Sequence, residues 1–143
     1  LFIIYLFIAN SIKFIENNEI TANKALVSKT NDLCLLNTTN IIGAPLSLLV
    51  LYVYRDDLNI NCKKNNISFD LSTSKNISFY AALMKRLTLF DTEKDNYLIL
   101  THFDIKNTEH TRHKSLMRSL KEYNLNYNIY FNDKRVSILN IYK

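Results

Sequence analysis

The side chains able to do acid, base or nucleophilic chemistry in this sequence are few and scattered. Asp56 and Asp57 are adjacent, but they fall where a hairpin turn favours acids for backbone reasons alone. His110 and His113 stand three apart, as on one helix face, and His102 lies nearby in sequence. No carboxylate or cysteine beside them completes a convincing metal set. Ser72, Ser74 and Ser78 lack the flanking glycines of a nucleophile elbow. Glycine and proline occur once each, at Gly43 and Pro45, which excludes glycine-rich phosphate loops of the P-loop or dinucleotide type. Catalysis is therefore not expected, and neither is a cofactor.

Anion binding is the chemistry these residue types favour. Lys106, Arg112, His113, Lys114 and Arg118 crowd a loop and the first turns of an amphipathic helix. The apolar stripe of that helix is Leu116, Met117, Leu120 and Tyr123. A helix N-terminus already carries exposed N–H groups and partial positive charge, so an external anion such as phosphate would relieve the crowding. A solvated surface helix with a basic start accounts for the same stretch. Lys63 and Lys64 at a hairpin tip, Lys75 in a loop, and Lys134 and Arg135 in a final turn extend the inventory. The nine Tyr and eight Phe could stack on bases, although most fall at core spacing. The net charge of +5 is uneven, with −1 over residues 1–62 and +6 over residues 63–143. That asymmetry fits a polyanionic partner for the C-terminal half.

The elements that must position these residues follow from the hydrophobic pattern. With 143 residues, 48% hydrophobic and 22% charged, the chain suits one globular domain. Leu1–Phe14 is strongly apolar but too short to span a membrane, which takes roughly twenty residues, so no span is expected. It is similar to the apolar core of a secretory signal, without a preceding basic residue. We read residues 1–20 instead as a helix or strand packing on this domain or a neighbour. Residues 21–45 form a polar connection. Gly43-Ala44-Pro45 leads into Ser47–Tyr54, apolar on both faces and read as a central strand. Arg55–Asp57 turns into a second strand, Leu58–Cys62, and Lys63–Asn66 turns into a third, Ile67–Leu71. Ser78 caps a helix with Phe79, Leu83, Leu87 and Phe90 on one face. Asn96–Phe103 reads as a buried strand, and the basic helix ends at Asn124, which fits a left-handed cap. Leu125–Phe131 and Val136–Tyr142 are the last two strands. The expected fold class is α/β: a mixed β-sheet with a strand meander followed by helix–strand–helix–strand, the helices covering the sheet.

Cys34 and Cys62 are too few and too distant for a zinc site. They form either one disulfide in an oxidising compartment or two ordinary small apolar residues, and we favour the second. Asn37-Thr38-Thr39, Asn66-Ile67-Ser68 and Asn76-Ile77-Ser78 are glycosylation sequons, which arise by chance in an Asn-rich chain.

Taken together, residues from about Ile41 to about Asp133 resemble the universal small-subunit ribosomal protein eleven family. Val50–Arg55 stands in for the family's strand and Asn59 for its turn asparagine. Lys75-Asn76-Ile77-Ser78-Phe79-Tyr80-Ala81-Ala82 is similar to its basic loop and Thr-Pro-Tyr-Ala-Ala helix start. Thr111-Arg112, Ser115-Leu116-Met117-Arg118-Ser119-Leu120 and Asn124-Leu125 follow its Arg, its Ser-Ala-Ile-Arg-Ala-Leu helix and its Gly-Leu step. The chain differs in lacking the family's loop glycines, with Asn107, Glu109 and His110 in their region, and its basic C-terminal tail.

The resemblance implies a ribonuclease-H-like motif over residues 41–143, with residues 1–40 as an N-terminal extension. It implies a non-catalytic constituent of the small ribosomal subunit, in a divergent organellar form placed in the mitochondrial matrix. The partners would be platform rRNA near the exit side of the mRNA path and neighbouring ribosomal proteins. Lys63, Lys64, Lys75, Arg112, His113, Lys114, Arg118, Lys134 and Arg135 are the expected rRNA-binding residues. The alternative is a secreted, glycosylated binding protein with an N-terminal signal and a Cys34–Cys62 disulfide.

Overall fold

The structure, a computed structural model, describes residues 20–36, 38–59, 62 and 77–143. Residues 20–34 are helical (α1), and Ala22, Leu26, Thr30 and Leu33 are buried on one helical stripe. Strand β1 (Thr39–Gly43) follows, then helix α2 (Pro45–Val53). Helix α3 (Phe79–Leu87), strand β2 (Asp95–Thr101), helix α4 (Thr111–Glu122) and strands β3 (Asn126–Asn132) and β4 (Val136–Tyr142) complete the described elements.

The four strands make one mixed sheet in the order β1-β2-β4-β3. β1 and β2 are parallel, with Ile42 opposite Leu98, whereas β4 runs antiparallel to both β2 and β3. The α/β class and helix-covered mixed sheet are as expected. α1, α2 and Leu58 pack on one face with Ile41, Tyr97, Ile99, Val136 and Ile138. α3 and α4 pack on the other with Ile42, Leu98, Leu100, Leu139 and Ile141. Alternate residues of β1, β2 and β4 thus serve opposite cores, the period-two rule of a strand covered on both sides. The β3–β4 ladder slips between Ile129 and Phe131. Tyr127 therefore packs with the second core and Phe131 with the first, although their sequence parity is the same.

Three expectations are corrected. Ser47–Tyr54 is not a strand but most of α2: Pro45 supplies the fixed φ of a first helical turn, and a run apolar on all sides suits either state. The strand meander expected over 47–71 is therefore not built as read. Leu58 lies in a bend and Cys62 in a helical turn, while Ile67–Leu71 falls outside the described residues. The polar connection of residues 21–45 instead contains α1 and β1, so the folded unit takes in chain ahead of Ile41.

The cysteines are also corrected. Cys34 and Cys62 are bonded to one another, their Cα atoms 5.1 Å apart, and both are buried in the first core. α1 carries Cys34 to the segment holding Cys62, a juxtaposition invisible while residues 21–45 are read as loop.

Candidate nucleic-acid interface

α4 carries the basic run. Its start is closed by His110, whose Nδ1 accepts the backbone N–H of Arg112 at 3.1 Å. Its end is a Schellman arrangement: Leu125 N–H donates to Leu120 O at 2.9 Å and Asn124 N–H to Lys121 O at 3.1 Å. Asn124 has φ 52°, the left-handed cap read from the sequence. The helix buries His113, Leu116, Ser119 and Leu120, and Tyr123 donates its hydroxyl to Met84 O of α3 at 3.0 Å.

This helical phase sorts the expected rRNA-binding residues. His113 lies three residues before Leu116 and is buried with it, facing inward. Lys114 and Arg118 are exposed one turn apart, and Lys121 continues their stripe. Lys121 was missed by sequence reasoning, although its spacing from Lys114 and Arg118 was available to find it. Arg118 is already engaged: its Nε donates to Glu122 Oε1 at 3.1 Å, and its guanidinium lies 4.6 Å over the Tyr80 ring. Arg112 is half-buried, 5.5 Å over the Phe79 ring.

Lys134 is exposed in the β3–β4 turn with φ 72°, and the half-buried Arg135 offers its carbonyl to Phe103 N–H at 3.1 Å. Val136 pairs with Thr101 at the end of β2, the end from which the chain runs on to α4. Arg112, Lys134 and Arg135 thus belong to one end of the sheet, whereas Lys114, Arg118 and Lys121 run down the outside of α4. Lys63, Lys64 and Lys75 lie outside the described residues.

The chain matches no family model, no curated protein and no solved structure. An exposed stripe of three cations, one of them paired to a carboxylate, can contact phosphates without reading bases. Among the described residues, no group of three or more His, Cys, Asp and Glu is placed to hold a metal ion. No helix among them is long and apolar enough to cross a membrane.

Proposed function

We propose that this chain is a non-catalytic binding domain that matures in an oxidising compartment of the secretory route. The observation that carries this reading is the Cys34–Cys62 bond. Disulfides persist in oxidising surroundings and are rare where glutathione and thioredoxin keep thiols reduced. This one is built into the first core, joining α1 to chain 28 residues further on. The sequons at Asn37, Asn66 and Asn76 fit the same route. The test is mass spectrometry of the native protein, isolated from its source under alkylating conditions. The expected result is two unalkylated cysteines and glycan mass on at least one of those asparagines. Two alkylated thiols without glycan would overturn the reading.

The stripe of Lys114, Arg118 and Lys121 favours a second reading: a mitochondrial small-subunit ribosomal protein bound to platform rRNA and neighbouring proteins. The helix–strand–helix–strand order from α3 to β3 supports it, whereas Val50–Val53 within the resembling segment belongs to a helix rather than a strand. Sedimentation of native lysates separates the two readings. Co-migration with the small subunit, lost after RNase, would establish the second.

A further inference from the structure

β1 and β2 are parallel neighbours whose chains leave in opposite directions. From Gly43 the chain enters α2, whose Leu51 packs on the first face of the sheet. From Thr101 it runs on to α4, whose Leu116 and Leu120 pack on the second. Two adjacent strands that send their helices to opposite faces must part at their carboxyl ends, and open α/β sheets hold ligands in that crevice.

Here the crevice contains a cavity of about 200 Å³. Leu46, Ile77, Phe79 and Ala82 supply apolar wall, Thr101 a hydroxyl, and Arg112 the charge. Leu46 and Ile77 are exposed, so the mouth is open and apolar. Arg112 is steadied over the Phe79 ring, and none of the ion pairs among the described residues involves it. Ser47 Oγ accepts the backbone N–H of Thr101 at 2.9 Å and lies 3.2 Å from Thr101 Oγ1. When Ser47 gives its one hydroxyl proton to Thr101 Oγ1, the Thr101 O–H is left to donate into the cavity. α2 begins at this crevice with no side-chain cap, so its first N–H groups add partial positive charge to that of Arg112.

We infer that this crevice binds a small monocarboxylate with a compact apolar body, the carboxylate on Arg112 and the body between Leu46, Ile77 and Phe79. Guanidinium forks match carboxylates two bonds at a time, and this one already sits on an aromatic wall. An engineered cavity of about 150 Å³ holds benzene, so the volume here suits a ring or branched chain with its acid group. The inference rests on reading the chain as a binding domain, but not on its compartment.

The experiment is an NMR titration of the intact, oxidised protein with phenylacetate, and with benzyl alcohol as the uncharged control. The expected result is saturable shifts clustered at Ala44, Leu46, Thr101 and Arg112, with phenylacetate at least tenfold tighter than benzyl alcohol. Arg112→Gln should remove that preference. Leu46→Asp, a change at an exposed position, should weaken phenylacetate at least tenfold by placing a like charge at the mouth; it decides the matter if Arg112→Gln does not fold. Shifts scattered over the surface, equal affinity for the two probes, or phenylacetate binding indifferent to Leu46→Asp would each overturn the assignment. Those results would leave the secretory reading standing, because that reading is tested by alkylation, glycan mass and sedimentation and not by ligand binding.

Discussion

Tyr80 of α3 donates its hydroxyl to Glu122 Oε1 of α4 at 2.6 Å, and Arg118 reaches the same carboxylate oxygen. The Tyr80 hydroxyl bond, followed by the hydrogen bond and charge of Arg118, holds the Glu122 carboxyl below its ordinary value of 4.5. The same bond raises the Tyr80 hydroxyl above 10.0. A carboxylate depressed on folding stabilises above its unfolded pKa, and the contribution is lost as pH falls through the lower folded value. Tyr80→Phe should therefore move the Glu122 titration midpoint upward, read from its carboxyl carbon shift against pH. Because the cluster is open to solvent, the accompanying change in thermal stability should be small. An unmoved midpoint would show that the bond does not persist in solution.

The Cys34–Cys62 bridge closes a loop of 28 residues in the denatured chain. Chain-entropy arguments give such a loop about 3–4 kcal/mol of stabilisation. Cys62→Ala, or reduction of the natural chain, should lower the urea midpoint accordingly. Equal midpoints with and without reductant would mean that the bridge contributes nothing.

From Ser78 onward the two helices were legible because each has one clear period, whereas β2, apolar on both faces, was read as a strand from its short run alone. β2 is buried from Asn96 to Thr101, and α4 carries Leu116 and Leu120 on a stripe. α1 has such a stripe too, but Thr30 within it and the Asn, Lys and Ser around it diluted the signal. α2 failed for the opposite reason, since nine nearly all-apolar residues give no period to read. Strand order is a non-local choice that no local pattern contains. β3 follows β2 through α4, yet β4 sits between them, because Val136, Ile138, Leu139 and Ile141 are all buried whereas β3 is largely exposed. Of the candidate site, the cations could be counted from the sequence. Their separation into an outer stripe, an inward histidine and an arginine at the crevice needed the phase of α4 and the strand exits.

Asn96 explains how β2 begins. Its buried side chain donates to Asp91 O and Lys94 O, each at 2.7 Å, and accepts from Asp91 N–H at 2.9 Å and the Asn40 amide at 2.8 Å. All four hydrogen-bonding positions of the amide are used. Asn96→Ala should cost about 2–4 kcal/mol, because it strands several partners at once. Asn96→Asp should also destabilise, since a carboxylate cannot donate to the two carbonyls. Chemical denaturation of both variants checks this, and a loss below about 1 kcal/mol for Asn96→Ala would refute the network's role.

Gly43 ends β1 where α2 turns back onto it. A Cβ built there would lie 2.5 Å from Leu48 Cδ2 and 2.6 Å from its Cγ, and Leu48 is buried. The glycine is thus required for close approach between strand and helix. Gly43→Ala should cost about 1–3 kcal/mol by overpacking. Leu48→Ala alone should cost about 2–5 kcal/mol through the cavity it leaves. Combining the two should cost less than their sum, since removing the Leu48 side chain makes room for the new methyl, which in turn fills part of the cavity. A double-mutant cycle by urea unfolding reads this coupling directly. Strict additivity would mean that the backbone shifts instead, and it should then be accompanied by shifts at Thr101, which is tied to α2 through Ser47.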